Sequence, residues 1–296
     1  MVIAAIVTSC KKEHTRPTQG DLQKVTFTAG FSVSTGYIQS TRGITTNSLG
    51  INNTPDTALT NHISELYYML FDSTGHNVHY ITQLSTDTAF GHYIDNLRPG
   101  KYTIAIGGSV ETNFGASAAP LTDAFYNNGA ADGSEFFFGQ TTFTVGSSPV
   151  SASVMLNRKS SKLIITIKDA LPTDQAAKIN LTLSNVGSVF LVGSEVFTSG
   201  QTMSLSYPVG NAAGTTNYQI VVPYYYVSSF NLNITCEDLN PQTTIYGQKT
   251  ITVSGGINQI TSLSGNLFGG QGTSQSGGFQ TTLDTTWTTP VVVPFH

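Results

Sequence analysis

Charge is what this chain has least of. Lys, Arg, Asp and Glu together make up 10% of its 296 residues, where a globular domain ordinarily carries about 25%. That scarcity argues against helical bundles surfaced with Glu and Lys. The net charge of −4 offers no electrostatic footprint for nucleic acid, so no nucleic-acid partner is expected. Long apolar runs are missing too, and no stretch approaches the roughly 18 residues of a membrane-spanning helix. There are 2 cysteines, Cys10 and Cys236, too few for a metal cluster or a disulfide framework. Cys10 precedes any recognisable element and Cys236 ends the strand-like FNLNITC, so no bridge between them is expected. No HExxH, G-x-S-x-G or P-loop occurs. Glu237 and Asp238 enter a turn without a recognisable partner, and Cys236 lacks the local signature of a nucleophile. No catalytic residue, cofactor site or metal site is read from the chain.

What is abundant is Thr, Ser, Asn, Gln and 29 glycines beside a hydrophobic fraction of 39%. Apolar and polar residues alternate with period two almost throughout. KVTFTAGF sets Val25 and Phe27 against Thr26 and Thr28. KLIITIKD aligns Leu163, Ile165 and Ile167; KINLTLSN aligns Ile179, Leu181 and Leu183; FNLNITC aligns Phe230, Leu232 and Ile234. These are half-buried strands of antiparallel sheets with one solvated face. Turn signals separate them at DSTGHN (72–77), LRPGKY (97–102), NPQT (240–243) and VSGGIN (253–258). Two segments alone suit a short helix, APLTDAFYNN (119–128) and PTDQAAK (172–178). The fold class is all-β, with strands spaced as in β-sandwiches.

Gly146, Ser147, Ser148 and Pro149 punctuate the best candidate for a domain boundary, after which cations gather. Arg158, Lys159, Lys162, Lys168 and Lys178 read as a solvated sheet face. GGQGTSQSGG (269–278) reads as a flexible Gly/Ser link before the last strands, FQTTLDTTW and TPVVVPF. Pro290 and Pro294 confine the final strand to an edge. His76 and His79 flank a turn that His92 could approach, yet residues three apart on a strand face opposite ways, so exposed turn histidines are the expectation. The aromatic runs FFFG (136–139), YYM (67–69) and PYYYV (223–227) must each put a ring outward or against another domain. Core and interface packing is expected of them, with Trp287 a packing anchor.

Several of these stretches together resemble the fimbrillin superfamily of Bacteroidetes, the FimA/Mfa-type fimbrial subunits and their anchoring lipoproteins. The resemblance is carried in order by ELYYMLFDSTGHNV, DNLRPGKYTIAIGGS, SVMLNRKSSKLIITIKD, and NQITSLSGNLFGG before TTLDTTW. An L-x-R hinge and a GNLF near the end are features of that family. It implies two transthyretin-like antiparallel β-sandwich domains, an N-terminal one over 22–155 and a C-terminal one over 156–296. It further implies no catalysis, a cell-surface or fimbrial location, and assembly with other fimbrial subunits by strand exchange. In polymerising members a protease cuts after an arginine and releases an N-terminal strand. Arg42, in QSTRGITT, is the position carried over; Arg16 lies too close to Cys10 to release a strand. The donor strand would be Val291, Val292 and Val293. TTLDTTW after GNLF instead resembles the anchor or accessory type, in which it closes the protein's own sheet. The competing class is a glycan-binding outer-membrane surface lipoprotein, which requires exposed coplanar aromatics; PYYYV is the stretch that offers any.

Val7-Thr8-Ser9-Cys10 resembles a bacterial lipobox, with small residues before a thiol that accepts diacylglycerol. Residues 1–9 are then a residual lipoprotein signal and 10–21 a lipidated flexible tether to the outer membrane. Several acyl chains hold far better than a marginal single one. Lys11, Lys12 and Glu13 resemble the charged signal that sends such lipoproteins to the cell surface. The basic n-region and most of the apolar h-region are missing, so Met1 is not expected to be the start of the precursor. A host or glycan ligand is the remaining partner expected.

Overall fold

The computed structural model describes residues 21–31, 59–110, 114–117, 119–128, 135–173, 176–198, 200–238, 245–268 and 279–284. Among the described residues nine strands precede residue 160: β1 (Gln23–Phe31), β2 (Glu65–Asp72), β3 (Asn77–Leu84), β4 (His92–Leu97), β5 (Gly100–Ser109), β6 (Phe114–Ser117), β7 (Phe125–Asn128), β8 (Phe136–Val145) and β9 (Val150–Arg158). Ten follow: β10 (Ser161–Ile167), β11 (Ala177–Val186), β12 (Val189–Leu191), β13 (Val196–Phe197), β14 (Gln201–Pro208), β15 (Tyr218–Tyr224), β16 (Phe230–Asp238), β17 (Ile245–Val253), β18 (Ile260–Gly265) and β19 (Gln280–Asp284). The class is all-β, and the sheets are largely antiparallel and sandwich-like. Every alternating segment named above is a strand. The turn signals at 72–77, 97–102 and 253–258 each lie between consecutive strands.

The same arrangement occurs twice. The first part orders its strands β3-β2-β5-β8 and then β9-β1-β4; the second orders them β14-β11-β16-β17 and β15-β10-β18. Replacing β1, β2, β3, β4, β5, β8 and β9 by β10, β11, β14, β15, β16, β17 and β18 converts one into the other. Even the exception repeats: β1 runs parallel to β9, and β10 parallel to β18. The two parts differ at a seam and at an edge. In the first, Phe137 and Phe138 of β8 pair with Arg158 and Asn157 of β9, fusing both sheets into one of seven strands. In the second the sheets stay apart, and β19 adds to β18.

Three cores result. One lies within the first part around Phe27, Leu66, Tyr68 and Ile104; another lies within the second around Leu163, Ile165, Leu181 and Leu232. The third covers the far face of β2, β5 and β8 with the small sheet β13-β12-β7-β6, joining Tyr67, Met69, Phe136 and Phe138 to Phe190, Phe197 and Tyr225. β2 is therefore buried on both faces, which explains its unbroken buried run from Glu65 to Phe71.

Neither expected helix forms among the described residues. Asp123 and Ala124 N–H both bond Pro120 O at 2.7 Å in a turn, and β7 then pairs with β6 and β12. Phe125, Tyr126 and Asn127 are weak helix formers, and a waiting sheet edge outcompetes them. Ala177 and Lys178 are likewise drawn into β11, where Ala177 is fully buried. Helical turns among the described residues are confined to Leu59–Asn61 and Gly210–Ala212.

One carboxylate sits inside this packing. Glu65 is 8% exposed, and Tyr67 Oη hydrogen-bonds it. Burial raises its carboxyl above the ordinary 4.5, and the bond from Tyr67 opposes that rise. An acid raised in the folded state gives its full stability below the unfolded value and loses it as pH rises through the folded one. Glu65→Gln removes that loss. The melting-temperature difference between variant and wild type is expected to move in favour of the variant as pH rises from about 4 to 7. A difference that stays constant across this window would refute the assignment.

Candidate functional site

The most distinctive seat in the molecule is that of β1. It is the first described strand in sequence, yet it lies inside a sheet rather than at its edge. It pairs antiparallel with β4 from Gln23↔Leu97 to Thr28↔His92 and parallel with β9 from Val25↔Val150 to Phe31↔Leu156. Its alternation points Val25, Phe27 and Ala29 into the core, where all three are buried. The Phe27 ring stacks on Tyr93 at 5.8 Å and meets Phe143 edge-on at 5.1 Å. Phe31 meets Phe137 edge-on at 5.0 Å. Burying such side chains contributes about 1.5–3 kcal/mol each, and two ladders satisfy the backbone. Chemically, the slot between β4 and β9 asks little of its occupant: an extended backbone with apolar residues at alternate positions.

A second concentration of chemistry lies where β9 passes into β10. Here the expected solvated cationic face is corrected. Arg158 and Lys162 are buried, while Lys159 and Lys178 are half-buried and Lys168 is exposed. Arg158 Nη2 bonds Glu135 Oε2 at 3.2 Å, and its guanidinium lies 5.1 Å from the Phe137 ring. Burial pulls both Arg158 and Lys162 below their ordinary values, and the charge of Glu135 counters it. Lys159 Nζ bonds Glu195 Oε2 at 2.9 Å, and Gln140 Nε2 donates to Glu195 Oε1 at 2.7 Å. Glu195 thus ties β8 and the β9–β10 turn to the β12–β13 turn. Sequence reading missed both glutamates. The one available signal is that Glu135 stands directly before an apolar triplet.

The aromatic runs pack inward. Phe137 joins the first core while Phe136 and Phe138 join the third. Tyr224 and Tyr225 are buried and Tyr226 half-buried, with Tyr225 stacked on Phe197 at 4.4 Å. The histidines find separate partners: His76 Nδ1 with Thr74 Oγ1 at 2.8 Å, His92 Nδ1 with Thr28 Oγ1 at 3.5 Å, and His79 Nδ1 with Asp95 Oδ2. Cys236 is free and buried in the second core, and desolvation pushes its thiol up to about 11. Gln280 and residues 281–284, the start of TTLDTTW, pair antiparallel with β18 of the same chain, from Ser264↔Gln280 to Ile260↔Asp284. Cys10, Lys11, Lys12, Glu13, Arg42, Val291, Val292 and Val293 lie outside the described residues, as does the 269–278 link.

No protein-family model matches the chain, and no curated protein does. Solved structures do match. The fimbrial anchor protein Mfa2 from Porphyromonas gingivalis aligns over 89% of this chain and 97% of its own, with a TM-score of 0.52 at 9% identity. A candidate cell adhesion protein from Bacteroides eggerthii aligns over 91% and 97%, with a TM-score of 0.53 at 12% identity. A candidate polysaccharide-binding protein from Bacteroides thetaiotaomicron aligns over 83% and 92%, with a TM-score of 0.52 at 10% identity. At such identities the likeness is one of fold. The chain shares that fold with a fimbrial anchor protein and a candidate cell adhesion protein over nearly their whole length.

Proposed function

We propose that this chain is a cell-surface fimbrial subunit, or the anchor or accessory protein of a fimbria, assembling by β-strand complementation in support of adhesion. The observation that carries the reading is the seat of β1, a buried early strand that Arg42 follows in sequence. Cleavage after Arg42 frees that strand from the chain behind it. The ladder groups of β4 and β9 then await another subunit's extended segment, for which Val291, Val292 and Val293 have the composition. The pairing of β19 with its own β18 favours the anchor or accessory type over a polymerising stalk. On this reading the chain forms two sandwich domains, one over 22–155 and one over 156–296. Cys10 carries the lipid, Lys11, Lys12 and Glu13 direct it to the surface, and the role is structural rather than catalytic. The inward packing of PYYYV counts against a glycan-binding platform.

The test treats the purified full chain with an arginine-specific protease beside partner fimbrial subunits. Cleavage at Arg42 followed by filaments, or by capture of a subunit's extended strand, is expected. An affinity gel in which the uncut monomer binds polysaccharide, with no subunit captured after cleavage, overturns the proposal. Intact mass of the native protein decides the lipid on Cys10 separately.

A further inference from the structure

Among the described residues two strands end the seven-stranded sheet, β3 on one side and β4 on the other, and β4 has β1 as its one ladder partner there. Removing β1 leaves β4 without a ladder among the described residues. What remains is side-chain chemistry reaching across from β3. His79 Nδ1 contacts Asp95 Oδ2, and that same oxygen accepts from Tyr93 Oη at 2.9 Å. Asp95 Oδ1 accepts from Asn96 N at 2.7 Å, so the carboxylate is aimed by its own strand. Further along, Gln83 Nε2 donates to His92 O at 2.7 Å, while Gln83 Oε1 accepts from Gly91 N at 3.1 Å and Tyr68 Oη at 3.1 Å. Gln83 is buried. A buried amide that bonds both a backbone donor and a backbone acceptor beside the next strand stands in for a missing ladder rung. The Tyr68 and Tyr93 rings, 5.3 Å apart, pack beneath these bonds.

We infer that His79, Gln83 and Asp95 form a clasp that keeps β4 docked on β3, so that the slot retains both walls when β1 leaves. The clasp itself is a property of the intact chain; its part in strand exchange rests on the function proposed above. His79 is half-exposed at the side chain, 46%, so its replacement leaves the core intact.

Amide hydrogen exchange on the full chain, read by mass spectrometry, tests the clasp. His79→Leu is expected to speed exchange of residues 92–97 about tenfold, the loss of one charge-assisted hydrogen bond, with residues 104–106 in β5 unchanged. His79→Gln, which keeps a donor facing Asp95, is expected to restore protection, and Gln83→Leu to loosen β4 further. Wild-type exchange at 92–97 in both Leu variants overturns the clasp. In a second arm, the chain cut at Arg42 is offered a synthetic peptide of residues 22–31. The wild type is expected to rebind it, and His79→Leu to bind about tenfold more weakly. Equal binding by both overturns the exchange role. If cut wild type never releases residues 22–31 while the first arm responds, the clasp stands and strand release falls.

Discussion

Phe190→Ala is expected to cost about 3–5 kcal/mol of folding free energy and to split a single unfolding transition into two. Phe190 is fully buried on β12, a strand of three residues. Its ring lies 5.1 Å from Phe136, 4.8 Å from Phe138 and 5.0 Å from Phe197. The first two belong to β8 and the third to β13, so this one ring stands where the earlier part of the chain meets the later. Strands β12 and β13 are too short to hold themselves by ladder bonds, and packing against β8 is what orders them. A cavity here cannot be filled by relaxation, because Phe136 and Phe138 are fixed on a strand paired with β5. The Cβ of Phe197 already lies 2.7 Å from where a side chain at Gly187 would begin, so that side has no slack either. Calorimetry checks both parts. Phe190→Leu, which keeps most of the volume, is expected to lose less than half as much. One unshifted transition in the alanine variant refutes the coupling.

How much of this was legible beforehand depended on how many faces of a strand are buried. In KLIITIKD one face is solvated, so Leu163, Ile165 and Ile167 announce the strand by period two. In ELYYMLFD both faces are covered, and alternation gives way to an unbroken apolar run whose partners cannot be read locally. The doubled seven-strand arrangement left no trace in the residues, because pairing order is set by contacts far apart in sequence. The pairing of Val25 with Val150 is one example. The helix expectations at 119–128 and 172–178 failed for the same reason: weak local preference yielded to sheet edges supplied from elsewhere. At the candidate site, KVTFTAGF was recognisable as a strand, but its place between β4 and β9 was not. The cations of 158–162 were misread because a charge looks solvated until its counter-charge is found. Glu135 lies 23 positions before Arg158, beyond any helix or hairpin spacing that would have suggested the pair.

That pair carries the other large expected effect. Glu135→Ala is expected to destabilise the protein by about 3–5 kcal/mol, because it strips a counter-charge from a buried cation rather than merely deleting a bond. The side chain of Arg158 is 5% exposed and that of Glu135 14%, joined at 3.2 Å. Lys162, also buried, depends on the same carboxylate to hold its charge against desolvation. Lys159 with Glu195 makes the contrast within one turn of chain. Glu195 is 38% exposed, and removing that ion pair is expected to cost about 0–1 kcal/mol. Urea unfolding of Glu135→Ala and Glu195→Ala side by side separates the two cases, and the first is expected to respond little to added salt, since buried pairs are weakly screened. The double variant Glu135→Leu with Arg158→Met removes both charges and keeps apolar volume over Phe137. It is expected to recover most of the loss, since exchanging a buried pair for packed hydrophobics is often neutral or stabilising. If Glu135→Ala costs no more than Glu195→Ala, the charge of Arg158 does not depend on Glu135, and the buried-pair assignment falls.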